Sequence, residues 1–263
     1  MSHQQVQKSY AEKGFSMVEL AIVMVILGLL IGGAVAGREV MKVSKLRAVI
    51  SDLQKYKVAI SAFEETYGGL PGDLRNAEDI WGSAADCVAP YGAEVGHTCD
   101  GDGNGRISNG THTDDTEPYT AWDQLSLAKM ITGAYSGAGT GTDIGVNTPE
   151  SSGFEGAGYS IRYYDNAFGY TDSLNRTFDG NYMRFGRSDG SRNDAETSSL
   201  SPNDASYIDR KMDDGTPDYG DVIAGNGGGA DGNCTTGASP NVEYDYANDG
   251  ISCTPMFNIG DGI

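Results

Sequence analysis

No proline interrupts the chain from Phe15 to Leu70, and within that span Leu20–Gly37 runs for eighteen residues without a charge. With Phe15–Val18 ahead of it, the apolar stretch reaches the roughly 20 residues a helix needs to cross a bilayer. Beyond it, Val43, Leu46, Ile50, Leu53, Tyr56, Ile60, Phe63 and Tyr67 recur at spacings of three and four, the stripe of an amphipathic helix. Gly68-Gly69 and Pro71 form a stop signal. The pattern predicts one helix from Phe15 to about Thr66, roughly 78 Å long at 1.5 Å per residue. Its first half is apolar all round and suits lipid or other such helices. Its second half is apolar on one side and suits packing beneath a globular head.

Charge divides the 263-residue chain. Arg38, Lys42, Lys45, Arg47, Lys55 and Lys57 stand against only Glu39 and Asp52, whereas nearly all the remaining acidic excess lies further on. A total of 37 acidic against 18 basic residues argues against a nucleic-acid partner, which needs clustered Lys and Arg. The basic cluster fits a segment just beyond a membrane or the solvated face of a helix. Taken alone, the positive-inside rule would put it in the cytoplasm.

Two cuts compete at the N-terminus. Lys8 and Lys13, the apolar run and Ala34-Val35-Ala36 match a secretory signal peptide, whose removal after Ala36 would release a calcium-binding or adhesive domain. Against this, the run exceeds the usual ~7–15 residues of a signal core. It also holds Glu19, costly in hydrocarbon, and the helical period continues past the cut.

The segment Lys13-Gly14-Phe15-Ser16-Met17-Val18-Glu19-Leu20, followed by an apolar helix, resembles the N-terminal signal of type IV prepilins and type II secretion pseudopilins. The resemblance implies cutting by prepilin peptidase between Gly14 and Phe15 and N-terminal methylation of Phe15. Glu19 is then the fifth mature residue, where the family keeps a glutamate. A carboxylate beside an apolar bundle pairs with the α-amino group of a neighbour's Phe15, which sets register during assembly. The implied partners are other pilin or pseudopilin subunits, an assembly ATPase and a platform protein. The implied location is the bacterial inner membrane, single-pass, with the head in the periplasm, and then a filament in the periplasm or on the surface. Many family members carry a proline where this chain has Ala36; Gly28, Gly32, Gly33 and Gly37 offer bending or close helix contact instead.

The implied organisation is a leader at 1–14, a membrane and filament-core helix at 15–37, its amphipathic continuation at 38–67 and a head at 68–263. An α+β arrangement is expected, a long helix on a small antiparallel sheet with long loops. Strands are expected at Tyr159–Tyr164, Tyr182–Phe185, Asp221–Ala224 and Met256–Ile259. Helices are expected at Ala121–Ile131 and from Ser201, an N-cap followed by Pro202, to about Met212. Gly133–Gly145 and Gly225–Gly232 read as loops. Thr66–Asp79 and Ile208–Pro217 also resemble segments of pseudopilin-like proteins.

Asp100-Gly101-Asp102-Gly103-Asn104-Gly105-Arg106-Ile107 matches the first half of an EF-hand loop. Asp100, Asp102, Asn104 and the Arg106 carbonyl are the expected Ca2+ ligands. Thr111 stands where a bidentate Glu belongs, so Asp114 or Asp115 would substitute; a polar turn that binds nothing is the plain alternative. Asp209, Asp213, Asp214 and Asp218 form a second, weaker cluster. The resemblance adds that major pseudopilins hold calcium in the head. Cys87, Cys99, Cys234 and Cys253 lack zinc or redox spacing and read as two local disulfides of an oxidising compartment, although spacing leaves three pairings open. The Cys234–Cys253 loop resembles the disulfide-bounded region of pilins, whereas the Asp-rich loops lean towards pseudopilins. The three histidines, His3, His97 and His112, offer little for catalysis, and no nucleophile elbow or metalloprotease helix occurs. A structural role is expected rather than an enzymatic one.

Overall fold

The computed structural model describes residues 14, 16–84, 97–107, 117–137, 141–164, 179–190, 195–226, 233–238 and 241–260. The architecture is α+β: one long N-terminal helix, an antiparallel four-stranded sheet and a second, two-stranded sheet. The chain divides into two compact units, 1–44 and 45–263.

Helix α1 spans Met17–Tyr67 without a break, as the absence of proline requires. In the first unit its side chains are exposed, Leu29 at 73% and Val35 at 65%. By length and composition this part of α1 can cross a membrane.

In the second unit α1 buries Leu46, Val49, Leu53, Tyr56, Ala59, Ile60 and Phe63. Ile50 and Tyr67 of the expected stripe are only partly buried against the same core. Three short helices follow in sequence: α2 (Ala77–Trp81), α3 (Glu117–Leu127) and α4 (Pro202–Met212). The main sheet runs in the order β1 (Gly158–Tyr164), β2 (Gly180–Gly186), β6 (Cys253–Gly260), β3 (Val222–Asn226). All its pairings are antiparallel, with Ile161 opposite Met183 and Phe257 opposite both Met183 and Val222. Strand alternation places Tyr159, Ile161, Met183, Phe185, Phe257 and Val222 in the core shared with α1. Tyr56 sits edge-on between Trp122 and Tyr159, with ring centroids 5.1 and 5.2 Å away.

The structure differs from the sequence expectation in three places. Helix α3 starts at Glu117 and ends at Leu127, four residues earlier at each end than expected. Every residue from Glu117 to Leu125 is buried, so no one-sided period marks its span, and Lys129 at φ 58° ends the chain's helical course. Gly225 belongs to β3 rather than to a loop; residues 227–232 of that expected loop lie outside the described residues. The hairpin β4 (Thr235–Ala238) and β5 (Asn241–Tyr244) was not expected, since Thr-Thr-Gly-Ala has little strand character. Helix α4 forms as expected: Ser201 Oγ accepts from Asp204 N–H at 3.3 Å and Pro202 occupies the first turn.

A local anchor fixes α1 on the head. Asp52 Oδ2 accepts from Ser152 N–H (3.0 Å), Ser152 Oγ (2.8 Å) and Tyr159 Oη (3.2 Å). The same loop touches the helix at Gly153, where a Cβ would lie 2.6 Å from the Lys45 carbonyl oxygen and 3.3 Å from Ala48 Cβ. Gly153→Val therefore forces loop and helix apart. Overpacking of this kind costs about 1–3 kcal/mol, so a drop of roughly 3–10 °C in melting temperature is expected for a head of this size. Thermal unfolding of the full chain in detergent checks it, with Ser152→Ala as a comparison that removes the Oγ hydrogen bond without adding atoms.

Candidate functional site

Two regions carry the residues that the sequence singles out. At the start of α1, Gly14 is exposed and Phe15 lies outside the described residues. Ser16 precedes the helix and Glu19 is in its first turn. Ser16 N–H donates to Glu19 Oε2 at 2.8 Å, and Val18 N–H donates to Ser16 Oγ at 3.2 Å. Leu20 N–H closes the first helical turn on the Ser16 carbonyl at 3.1 Å. Ser16 and Glu19 thus form a reciprocal cap of the Ser-x-x-Glu kind, which satisfies donors the helix leaves open. A carboxylate there also sits favourably at the positive end of the helix dipole. The signal for this cap was present in the sequence as Ser16-x-x-Glu19 before an apolar run.

The second region is the Asp-rich loop. Asp73, 3% exposed, stands at its centre although the EF-hand pattern does not include it. Its Oδ1 accepts from Asn104 N–H (3.0 Å) and its Oδ2 from Gly105 N–H (2.8 Å). Asp102 Oδ1 also accepts from Asn104 N–H (2.9 Å), and Asn104 Oδ1 accepts from Arg106 N–H (2.8 Å), so successive side-chain turns wind the loop. Gly105, at φ 82°, supplies the sharp turn that the pattern requires at this position. Buried Glu117, at the start of α3, accepts from Asp102 N–H through Oε1 at 3.1 Å. Asp73, Asp102 and Glu117 each bring a carboxylate oxygen within 4.8 Å of the other two. Burial pushes the Asp73 carboxyl up to about 6; the Gly105 amide opposes this, and the neighbouring Asp102 carboxyl adds to it.

Close backbone approach builds this arrangement. A Cβ on Gly101 would lie 2.4 Å from the Asp73 backbone, and one on Gly72 would lie 2.4 Å from the Glu117 carbonyl oxygen. Gln124 joins the pieces, accepting from Gly72 N–H at 2.6 Å and donating to the Cys99 carbonyl at 3.1 Å. A cleft of about 350 Å³ opens beside the loop, bordered by Glu64, Leu70, Asp73, Arg75, Gly103 and Gly105.

Against known protein families, residues 10–35 match the prokaryotic N-terminal methylation motif. The chain carries a prokaryotic N-terminal methylation motif. That motif is the hallmark of the type IV pilin and pseudopilin family. Neither the curated proteins nor the solved structures give a match. The match covers Gly14, Phe15 and Glu19, the three positions the sequence assigned to processing and assembly.

Elsewhere in the chain the singled-out residues divide. Asp100 lies apart from the converging carboxylates: its Oδ1 accepts from Glu78 N–H at 2.9 Å, in the first turn of α2. Arg106 stacks over the Tyr163 ring at 4.5 Å. Asp114 lies outside the described residues. In the second cluster Asp209, Asp213 and Asp214 converge, and each also accepts backbone amides. Asp209 takes Gly215 N–H (3.0 Å) and Tyr244 Oη (2.7 Å), Asp213 takes the amides of Asp221 and Val222 (3.1 Å to the latter), and Asp214 takes Thr216 N–H (2.7 Å). These bonds fasten the end of α4 to the start of β3. Cys234 and Cys253 form a disulfide that ties the head of β4 to the head of β6. Cys99 is also disulfide-bonded, and Cys87 lies outside the described residues. Sequence reasoning missed Asp73 and Glu117, and no local spacing would have found them.

Proposed function

We propose that this chain is a structural subunit of a type IV pilus or a type II secretion pseudopilus. Prepilin peptidase cuts it between Gly14 and Phe15 and methylates Phe15, while the apolar half of α1 holds it in the inner membrane with the head in the periplasm. An assembly ATPase and platform protein then draw it into a filament whose core is made of such helices. The observation that carries this reading is the methylation motif at residues 10–35, opening an unbroken apolar helix. The continuity of α1 through Ala36 and Gly37 favours it over a signal-peptidase cut, because no extended segment interrupts the helix there. The deciding measurement is the N-terminal mass of the mature protein from its native host. Methylated Phe15 supports the reading; a terminus at Gly37 overturns it and leaves a secreted calcium-binding or adhesive domain.

We further propose Ca2+ as a ligand of the Asp-rich loop. The residues that would hold it are Asp73, Asp102 and Glu117, with Asn104 beside them. The donor set fits a hard cation: three carboxylates within 4.8 Å of one another repel unless a proton or a cation intervenes. Bound calcium would supply the opposing charge and brace the loop. Above about pH 6 Asp73 is ionised, and the demand for a cation is greatest there. Added Ca2+ is expected to raise the melting temperature at pH 7.5 in a chelator-reversible way, an increment that Asp73→Asn removes. No shift in the wild-type chain would exclude calcium and leave the loop a hydrogen-bonded turn.

A further inference from the structure

The cleft beside the Asp-rich loop holds about 350 Å³, at the lower end of the roughly 300–1,000 Å³ usual for small-ligand sites. It lies wholly within the second unit, between the last turn of α1, the turn before α2 and the loop itself. Three of its side chains have polar atoms that bond to nothing among the described residues. Glu64 is half-buried, yet its carboxylate has neither an ion pair nor a hydrogen bond. It stands in the last turn of α1, which holds no basic residue and where the helix dipole favours the opposite charge. Asn76 occupies the N-cap position of α2 but makes no cap hydrogen bond, although asparagine is a favoured capping residue. Tyr67, three residues beyond Glu64 and on the same side of the helix, is half-buried, and its hydroxyl has no partner. Phe63 and Trp81 hold its ring in place, with centroids 4.7 and 5.0 Å away.

The opposite wall is fixed and bears the balancing charge. Arg75 Nε donates to the Asp102 carbonyl at 2.7 Å and Nη2 to the Gly103 carbonyl at 3.3 Å. Gly103 admits this, since a Cβ there would lie 2.2 Å from Arg75 Nε. The carboxylates of Glu64 and Asp73 disfavour an anion, and the guanidinium held beside them disfavours an organic cation. We propose that the cleft binds one or two rings of a neutral sugar, with the Tyr67 ring against an apolar sugar face and Glu64 and Asn76 at its hydroxyls. A carboxylate accepts from neighbouring hydroxyls, and a carboxamide both donates and accepts, the mixture that adjacent sugar hydroxyls need. Tyrosine adds a flat apolar face with a polar edge. The assignment does not depend on where the N-terminus is cut, because a filament subunit and a domain released after Ala36 both keep every one of these residues.

Saturation-transfer NMR on the full chain, in micelles of a detergent without a sugar headgroup, tests this with the methyl glycosides of glucose, galactose, mannose and N-acetylglucosamine. Transfer to at least one of them is expected, with a Kd in the millimolar range, since a single ring makes few contacts. Glu64→Ala and Asn76→Ala are each expected to weaken that glycoside about tenfold, because each leaves a sugar hydroxyl without its partner. Glu64→Ala is expected to melt at or above the wild-type temperature, as it replaces an acid at the helix end with the best helix former, so lost binding is not lost folding. Transfer to none of the glycosides overturns the proposal. So does transfer that survives both substitutions in one chain, which would place the sugar elsewhere. Choline and acetate serve as charged probes, and transfer to either one in place of the glycosides makes the cleft an ionic site and overturns the proposal. Spectra with Ca2+ and with chelator are expected to agree; transfer seen only with Ca2+ would mean that the metal holds the sugar, and would overturn the roles given to Glu64 and Asn76. Failure here leaves the filament reading standing, because the N-terminal mass decides that reading separately.

Discussion

Glu19→Ala is expected to abolish incorporation of the chain into filaments while leaving its insertion in the membrane and its head intact. The alanine removes two things at once: a negative charge in the first turn of an apolar helix and the acceptor that caps Ser16 N–H. Glu19→Gln separates them. A glutamine reaches back to the same amide and keeps the cap, but it offers no charge to a neighbouring subunit's amino terminus. If the charge matters for assembly, Gln fails as completely as Ala, and filament yield falls at least about a hundredfold, in line with the 3–5 kcal/mol typical of a broken buried ion pair. If the cap alone matters, Gln assembles like the wild type and only Ala fails, and the ion-pair account is lost. Pelleting of filaments, with membrane-fraction immunoblots to show that each variant is made, reads both outcomes.

The second large effect is a stability that falls as pH rises. Asp123 on α3 is 2% exposed, and its Oδ2 has no hydrogen-bond partner among the described residues. Burial pushes its carboxyl up to about 7, against a hydrogen bond with the Thr98 side chain. Asp209 is moved in the same direction, to about 6. A carboxyl with a raised folded-state pKa binds its proton more tightly when folded. Its stabilising contribution is therefore complete below the unfolded value near 4 and disappears as pH rises through about 7. For Asp123 the difference across that window is on the order of 4 kcal/mol. Asp123→Asn stays neutral at every pH and nearly isosteric. At pH 8 it is expected to melt roughly 5–10 °C above the wild type, with the gap closing towards pH 4. Melting curves of both chains across pH 4–8 give the answer. Parallel curves would mean that Asp123 does not change protonation in this range.

Residues that are neighbours along the chain announced themselves in the sequence. The spacing of Leu46, Leu53, Tyr56, Ile60 and Phe63 dictated α1, because a helix places residues three and four apart on one side whatever lies around it. Ser201-Pro202 fixed the start of α4, and runs of aromatic and β-branched residues marked β1, β2, β3 and β6, since caps and strand preference act over a few residues. The Gly14-Phe15 junction with Glu19 four residues beyond it likewise needed no fold to be read. Tertiary structure alone brought Asp73 and Glu117 to Asp102 and sent Asp100 to cap α2. That convergence depends on backbones from three separate segments meeting at Gly72 and Gly101, and no spacing in the chain encodes such a meeting. The same holds for Asp123, one acid among 37 in the sequence. Only the packing around α3 took it out of water and moved its titration towards neutral pH.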